Sequence, residues 1–310
     1  MPILQVHNLC HHFENGDVLF NNLSCSLTHQ RVGLIGKNGV GKSQFAAFII
    51  GENTPTSGSI VPPRRLAMYH QQHVQPSTPN QTIADFIGKA HVLSALHRVA
   101  KGDCTSYLFD IIADQWDLET RLAQQLHQLD LPADPLFPCS QLSGGELARL
   151  KLWQLFESDC DLLILDEPSN HLDNKAKTWL SERIDSFKGA ILLISHDRRL
   201  LRKMQEIWEL SPLGLRTFGG NYDNYVQQSL IELQAVERKL VSIEKQHMQI
   251  KLKSQKSREK ADQRAKLGKQ LRKSGSQPKV LMDKKKTRPP QALPAAIKMN
   301  RIVLLNCICK

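Results

Sequence analysis

Long apolar runs are missing from this 310-residue chain: stretches such as Ala190–Ile194 and residues 302–305 fall far short of the ~20 residues a membrane-spanning helix needs. Paired cysteines are missing too. The seven cysteines are scattered, and the one close pair, Cys307-Ile308-Cys309, is too tight and too solitary for a zinc site, so reduced thiols are expected. The first residues, Met1-Pro2-Ile3-Leu4-Gln5-Val6-His7, carry no basic leader followed by an apolar stretch, which predicts a cytoplasmic protein. There is no internal repeat, and no glycine interrupts the segment between Gly220 and Gly268. What is present is a globular composition, 41% hydrophobic and 23% charged, with the charge unevenly spread. Residues 1–220 hold 20 Lys and Arg against 23 Asp and Glu, whereas residues 221–310 hold 21 against 7. A near-neutral body with a strongly basic extension points to an enzyme joined to an arm that binds polyanions.

Short apolar segments at residues 3–6, 32–35, 162–165 and 191–194 alternate with helical patterns, which predicts an α/β domain with a largely parallel sheet. Between about residues 82 and 131 the apolar positions, among them Ile83, Phe86, Ile87, Val92, Leu93 and Leu96, take helical spacing and read as an insertion closed by the proline-rich stretch 131–138. Turn-forming Gly219 and Gly220 then precede a long polar helix. In that helix Val226, Leu233 and Leu240 recur every seven residues, and Val236, Ile243 and Ile250 form a second row, a stripe suited to packing one helix on another. The expected organisation is an α/β domain over 1–222 with a helical subdomain at 82–138, a basic helical arm over 223–288, and a tail over 289–310 without helical patterning.

Gly36-Lys37-Asn38-Gly39-Val40-Gly41-Lys42-Ser43 matches the P-loop pattern and lies between an apolar strand and a helix over 44–50, the context that pattern requires. Its glycines let backbone N–H groups face phosphate oxygens, Lys42 supplies a point charge, and the Ser43 hydroxyl suits Mg²⁺. The run 161–167 ends a buried strand in Asp166 and Glu167, which suit a magnesium shell and the polarising of an attacking water. A second buried run ends at Ser195-His196-Asp197, so His196 is expected at the same sheet edge, within reach of a γ-phosphate. Four histidines, His11, His12, His70 and His73, are not read as a metal site.

Leu142-Ser143-Gly144-Gly145-Glu146 precedes a helix expected over 146–156; by itself, Ser followed three residues later by Glu is an ordinary helix N-cap. Placed between the P-loop and Asp166, it resembles the signature of the ATP-binding-cassette superfamily. The resemblance implies a P-loop NTPase cassette fold with a helical subdomain, Mg²⁺-ATP as ligand, and a site completed when the signature of one cassette closes over ATP held by another, in a homodimer or with a different cassette. It further implies that Phe13 stacks on adenine, that Gln71, with Gln72 as the alternative register, ligates Mg²⁺ and water, and that Leu172 and Asp173, in Pro168-Ser169-Asn170-His171-Leu172-Asp173, cross the cassette interface.

Glu146 in the signature, the wording Asn170-His171-Leu172-Asp173, the segment Gly220-Asn221-Tyr222-Asp223-Asn224-Tyr225 and the basic helix after it together resemble the first half of an F-class member over residues 1–288. That class is a soluble type of two cassettes joined by a basic helical linker, and the resemblance implies action on the ribosome, with the arm touching ribosomal RNA or tRNA. After Arg288 the returning helix and second cassette of that class are absent, which reads as truncation. Two other readings stand beside it: the ATPase subunit of a membrane transporter, or an ATP-binding fragment that does not hydrolyse.

Overall fold

The computed structural model describes residues 2–13, 16–70, 78, 80–170 and 172–273, with side chains as far as residue 270. They fall into two compact units, Met1–Gln234 and Ala235–Lys310. The strands are β1 (Leu4–His12), β2 (Val18–Leu27), β3 (Arg31–Gly36), β4 (Ser57–Val61), β5 (Leu66–Tyr69), β6 (Leu162–Asp166), β7 (Ala190–Ile194), β8 (Glu206–Ser211) and β9 (Gly214–Gly219). The helices are α1 (Lys42–Ile50), α2 (Ile83–Phe86), α3 (Ala90–Ala100), α4 (Ser106–Ile112), α5 (Leu118–Gln128), α6 (Gly144–Phe156), α7 (Asn174–Ser186), α8 (Arg198–Leu201) and α9 (Tyr222–Lys273).

Six strands form one sheet in the order β5-β6-β7-β3-β8-β9, parallel throughout except for β9, which turns back antiparallel on β8. Every residue of β6 and β7 is buried, which is why both strands read as unbroken apolar runs: a parallel sheet is covered on both faces. Each fully buried Leu or Ile contributes about 1.5–3 kcal/mol. A second sheet, β2-β1-β4, is antiparallel and lies with α1 against one face of the first; Phe20, Phe45, Phe48, Leu34, Leu192 and Trp208 share that core. Leu152, Phe156, Leu180 and Ile184 of α6 and α7 cover the opposite face.

The inserted helices build a core of their own from Ile83, Val92, Leu93, Leu122 and Leu126, and α6 joins it through Leu147, Leu150 and Trp153. Thus α6 belongs to both cores. The passage from α7 into β7 is held by Arg31, whose buried guanidinium donates to the carbonyls of Ile184 (2.8 Å), Gly189 (2.8 Å), Gln30 (2.9 Å) and Phe187. These bonds compensate the cost of burying a charge.

Helix α9 begins within the first unit. Tyr222 and Tyr225 pack against its core, Arg202 Nε donates to Asp223 at 3.0 Å, and the Tyr225 hydroxyl donates to Glu209 at 3.0 Å. In the second unit the stripe positions Val236, Leu240, Ile243 and Ile250 are 40–64% exposed. Residues 251–273 carry ten Lys and Arg against Glu259 and Asp262. Among the described residues no helix is long and apolar enough to cross a membrane.

Candidate nucleotide site

Because β3, β6 and β7 are parallel neighbours, the loops that follow them emerge at one edge of the sheet. Register pairs Leu34 with Ile194 and Asp166 with Ile194, so the P-loop, the Asp166-Glu167 pair and the Ser195-His196 segment share that edge. A crevice where strand order departs from chain order, as it does around β3, is where open α/β sheets bind ligands.

The P-loop turns through Gly39 (φ 81°) and Gly41 (φ 99°). At Gly41 a side chain is excluded twice: the backbone is left-handed, and a Cβ there would meet Leu19 Cδ1 at 2.9 Å. Gly41 caps α1 without any side-chain acceptor, and no acidic residue stands in the first turn, so the helix N-terminus keeps its positive end open. Lys42, the first residue of α1, is buried and folds its ammonium back onto the carbonyls of Gly36 (2.8 Å) and Lys37 (3.2 Å). Burial lowers its pKa, an effect opposed by Glu167 and Asp166.

Those two carboxylates are the least satisfied groups of the site. The Ser43 hydroxyl lies within hydrogen-bonding reach of Asp166, yet Asp166 Oδ1 and Glu167 Oε1 are buried with no hydrogen-bond partner among the described residues. Burial raises both pKa values; Ser43, His70 and Lys42 pull Asp166 back, and for Glu167 a backbone hydrogen bond to His196 opposes the rise while the charge of Asp166 adds to it. Glu167 stands just past the end of β6 with φ 48°, a left-handed conformation uncommon for a residue with a side chain, and its N–H donates to Ile194 O at 2.8 Å. His196 Nε2 is 3.6 Å from Glu167 Oε1, and burial, together with the Lys42 charge, lowers its pKa, which favours the neutral imidazole.

A buried pair of hard oxygen donors left unpaired beside a serine hydroxyl and a lysine is a donor set that fits Mg²⁺ carrying phosphates. Ser143 caps α6 and is engaged with Glu146 in a reciprocal box, Glu146 N–H to Ser143 Oγ at 3.3 Å and Ser143 N–H to Glu146 Oε2 at 2.7 Å. Leu142 packs on the helical core, and Gly144 and Gly145 are the first residues of α6. Asp173 caps α7, accepting from Ala176 N–H at 2.8 Å, and Leu172 is buried. Phe13 is exposed at the end of β1, with the His11 ring edge-on to it at 5.3 Å. Gln71, Gln72, His73 and His171 lie outside the described residues.

Two further residues near the site had no role assigned from sequence. Buried Ser195 accepts from Asp197 N–H at 3.0 Å, holding the turn that presents His196, and His70 pairs with Glu52 at 3.1 Å while facing Asp166. Ser195 two positions before Asp197 is a recognisable local turn; nothing in the sequence links His70 to Glu52.

The ABC transporter family profile matches residues 20–170, a span that holds the P-loop, the signature and Asp166-Glu167. The chain belongs to the ATP-binding-cassette superfamily. Among curated proteins, the energy-dependent translational throttle protein EttA of Mycobacterium tuberculosis is 32% identical over 234 residues, 69% of this chain and 42% of that protein. The ATP-binding protein Uup of Escherichia coli is 31% identical over 244 residues, 73% of this chain and 38% of that one. These are F-class proteins, and the cassette belongs with that class; it spans about two fifths of their length. A solved ATP-binding subunit of an ABC transporter matches at a TM-score of 0.55 and 22% identity, covering 73% of this chain and 92% of that one, which is a likeness of fold. The superfamily binds ATP with Mg²⁺ and in general hydrolyses it.

Proposed function

We propose that this chain is an ATP-hydrolysing cassette of F-class type that acts on the ribosome. The observation that carries the chemistry is the convergence of Lys42, Ser43, Asp166, Glu167 and His196 at one sheet edge, with two buried carboxylate oxygens left unpaired. In this reading the backbone of residues 36–43 cradles the phosphates, and Lys42 exchanges its carbonyl partners for phosphate oxygens. Ser43 and Asp166, with Gln71, would hold Mg²⁺, and the ion would supply positive charge beside the phosphates. Glu167 takes the proton of the attacking water, and its raised pKa brings it closer to neutrality, where a general base is most effective. Neutral His196 bonds the γ-phosphate, and Phe13 stacks on the base. Ser143 with its two glycines, and Leu172 with Asp173, serve the phosphates and the interface of a second cassette.

Residues 1–222 make up the ATP-binding domain, 82–138 its helical subdomain, and 223–288 the arm. Helix α9 supports the ribosomal reading: a solvated helix with ten Lys and Arg over residues 251–273 gains affinity for RNA by neutralising phosphates and releasing counterions. A relative named as a translational throttle points the same way.

The test is Glu167→Gln, assayed for ATP binding, turnover and sedimentation with ribosomes. Binding should persist, turnover should fall roughly 10²- to 10⁴-fold, and the ATP-bound variant should sediment with ribosomes in a salt-sensitive manner. Parent-like turnover would remove Glu167 from its role. Sedimentation with a membrane partner instead of ribosomes would favour the transporter subunit.

A further inference from the structure

Aromatic residues make up only 6% of the chain, and most of them are buried or partly buried. Phe13, Tyr107, Phe109 and Trp116 are the exposed Phe, Tyr and Trp side chains among the described residues, and three of these four lie within ten residues of sequence, on and just after α4. Leu108 and Ile112 turn the inner face of α4 into the small core it shares with Ala95. At about 100° per residue, Asp110 then occupies the outward face, with Tyr107 about 60° to one side and Phe109 about 100° to the other. Tyr107 is 64% and Phe109 40% exposed. The chain reverses at Ala113, which takes φ 48° and returns its N–H to Phe109 O at 2.8 Å. The reversal brings Trp116, itself 52% exposed, against Phe109 with ring centroids 5.8 Å apart. The result is an aromatic surface around a carboxylate, held by helix geometry.

Exposed aromatic area concentrated in this way marks an interaction surface rather than ordinary solvent-facing residues. Its charge selects the partner. Residues 101–120 contain five carboxylates and a single base, Lys101. Neighbouring Arg98 and Arg121 are occupied by Asp103 (2.6 Å) and Asp117 (3.5 Å), while Asp110 and Asp114 make no ion pair among the described residues. Such a surface repels the phosphates of RNA or of an anionic lipid. A guanidinium or ammonium group, by contrast, can lie over Tyr107, Phe109 or Trp116 and bond Asp110, while aliphatic side chains cover the rings.

We propose that the outer face of α4, with Trp116, docks a lysine- and arginine-rich polypeptide segment. The residues of this surface are separate in sequence from the P-loop and from the basic residues 251–273 of α9.

The experiment measures binding of a fluorescein-labelled synthetic peptide of repeated arginine, leucine and lysine to the full chain by anisotropy across a salt series. The parent, Asp110→Asn with Trp116→Ser, and Asp110→Lys alone are compared with Glu237→Gln, which removes one exposed charge on α9. The double variant and Asp110→Lys should each weaken the peptide by tenfold or more, Glu237→Gln should bind like the parent, and ATP affinity should be the same in all four. Melting curves establish that each variant is folded, and Asp110→Lys, a single surface substitution, retains the test if the double variant is not. Equal peptide binding by parent and Asp110→Lys, or no binding by the parent, overturns the proposal. A single-stranded RNA oligomer that loses affinity in these variants while the peptide does not overturns it in favour of RNA.

Discussion

The helices α1 and α6 both begin beside glycines, and their first turns are finished in opposite ways. Helix α1 starts from Gly41 with no side chain on its free N–H groups, no acid in its first turn, and the Lys42 ammonium beside it. Helix α6 starts from Ser143, and two N–H groups at its start are met from within, that of Glu146 by Ser143 Oγ and that of Ser143 by the carboxylate of Glu146. The glycines differ as well. Gly41 must be glycine because of its left-handed backbone and the closeness of Leu19 and Phe20, whereas a Cβ on Gly144 would meet nothing within 4 Å. An open, positively charged helix start is an anion site awaiting its ligand; a start closed by its own carboxylate must give something up to receive one.

The largest effect should come from removing the cation at the open start. Lys42→Ala deletes a donor that would make charge-assisted bonds to phosphate, each contributing about 1.5–3 kcal/mol, so ATP affinity measured by calorimetry should fall roughly 10- to 100-fold. An unchanged affinity would mean that backbone N–H groups and Mg²⁺ suffice, and the contrast between the two helix starts would lose its electrostatic part.

Exchanging the glycines should give opposite signs. Gly41→Ala forces a side chain into a left-handed backbone and against Leu19, at a cost of about 1–3 kcal/mol, whereas Gly144→Ala, on an open helical position, should stabilise by about 0.5–1 kcal/mol. Thermal melting of the two variants without nucleotide decides this: two shifts of the same sign would contradict the distinction.

The carboxylates facing α1 sharpen the comparison through pH. Burial raises the Glu167 pKa, so the folded chain binds a proton there more readily than the unfolded chain does. Such a group costs stability as pH rises through the window between its unfolded and folded values, and the cost is fully present above the folded value. Glu167→Gln should therefore raise the melting temperature of the nucleotide-free protein at pH 7, and the gain should vanish at a pH below the unfolded glutamate value. A gain independent of pH would assign the effect to something other than the buried charge.

How much of this was legible in the sequence follows from how local each feature is. The P-loop, Asp166-Glu167 and the signature are continuous strings whose neighbours dictate strand or helix, and residues 32–35, 162–165 and 191–194 lie in buried parallel strands as their apolar runs require. Strands β2, β8 and β9 were not legible, because Val18–Leu27 carries Asn21 and Asn22 mid-strand and the β8-β9 pair is part polar along a sheet edge. Helices α1 and α6 each begin two residues before the apolar pattern shows them, at Lys42 and Gly144, since a first turn is defined by backbone and caps rather than by burial. Arg31 looks like any surface arginine in sequence; the carbonyls of Ile184, Phe187 and Gly189 that it bonds are more than 150 residues away. The left-handed backbone of Glu167, whose N–H reaches across to Ile194 O at 2.8 Å, likewise has no local signal.

The smallest effect should come from the closed start, and it concerns a charge rather than a bond. Hydrogen bonds from Ser143 hold the Glu146 pKa below the ordinary carboxylate range, so the group is ionised at pH 7, where on the proposed function a phosphate from another cassette would approach. Glu146→Gln keeps an oxygen that can accept the Ser143 N–H and so keeps the box, but removes the charge that favours the positive end of α6. The stability loss should be about 0.3–1 kcal/mol at pH 7. By sign, a lowered carboxylate pKa contributes stability above the unfolded value and loses it as pH falls through the folded value, so parent and variant should melt alike in acid. The same substitution relieves repulsion between carboxylate and phosphate. In the Glu167→Gln background, where turnover should be slow, sedimentation velocity should therefore show ATP-dependent pairing of chains strengthened a few-fold by Glu146→Gln. If pairing weakens instead, the carboxylate holds Ser143 ready for the incoming phosphate, and the closed start of α6 is a prepared site rather than a guarded one.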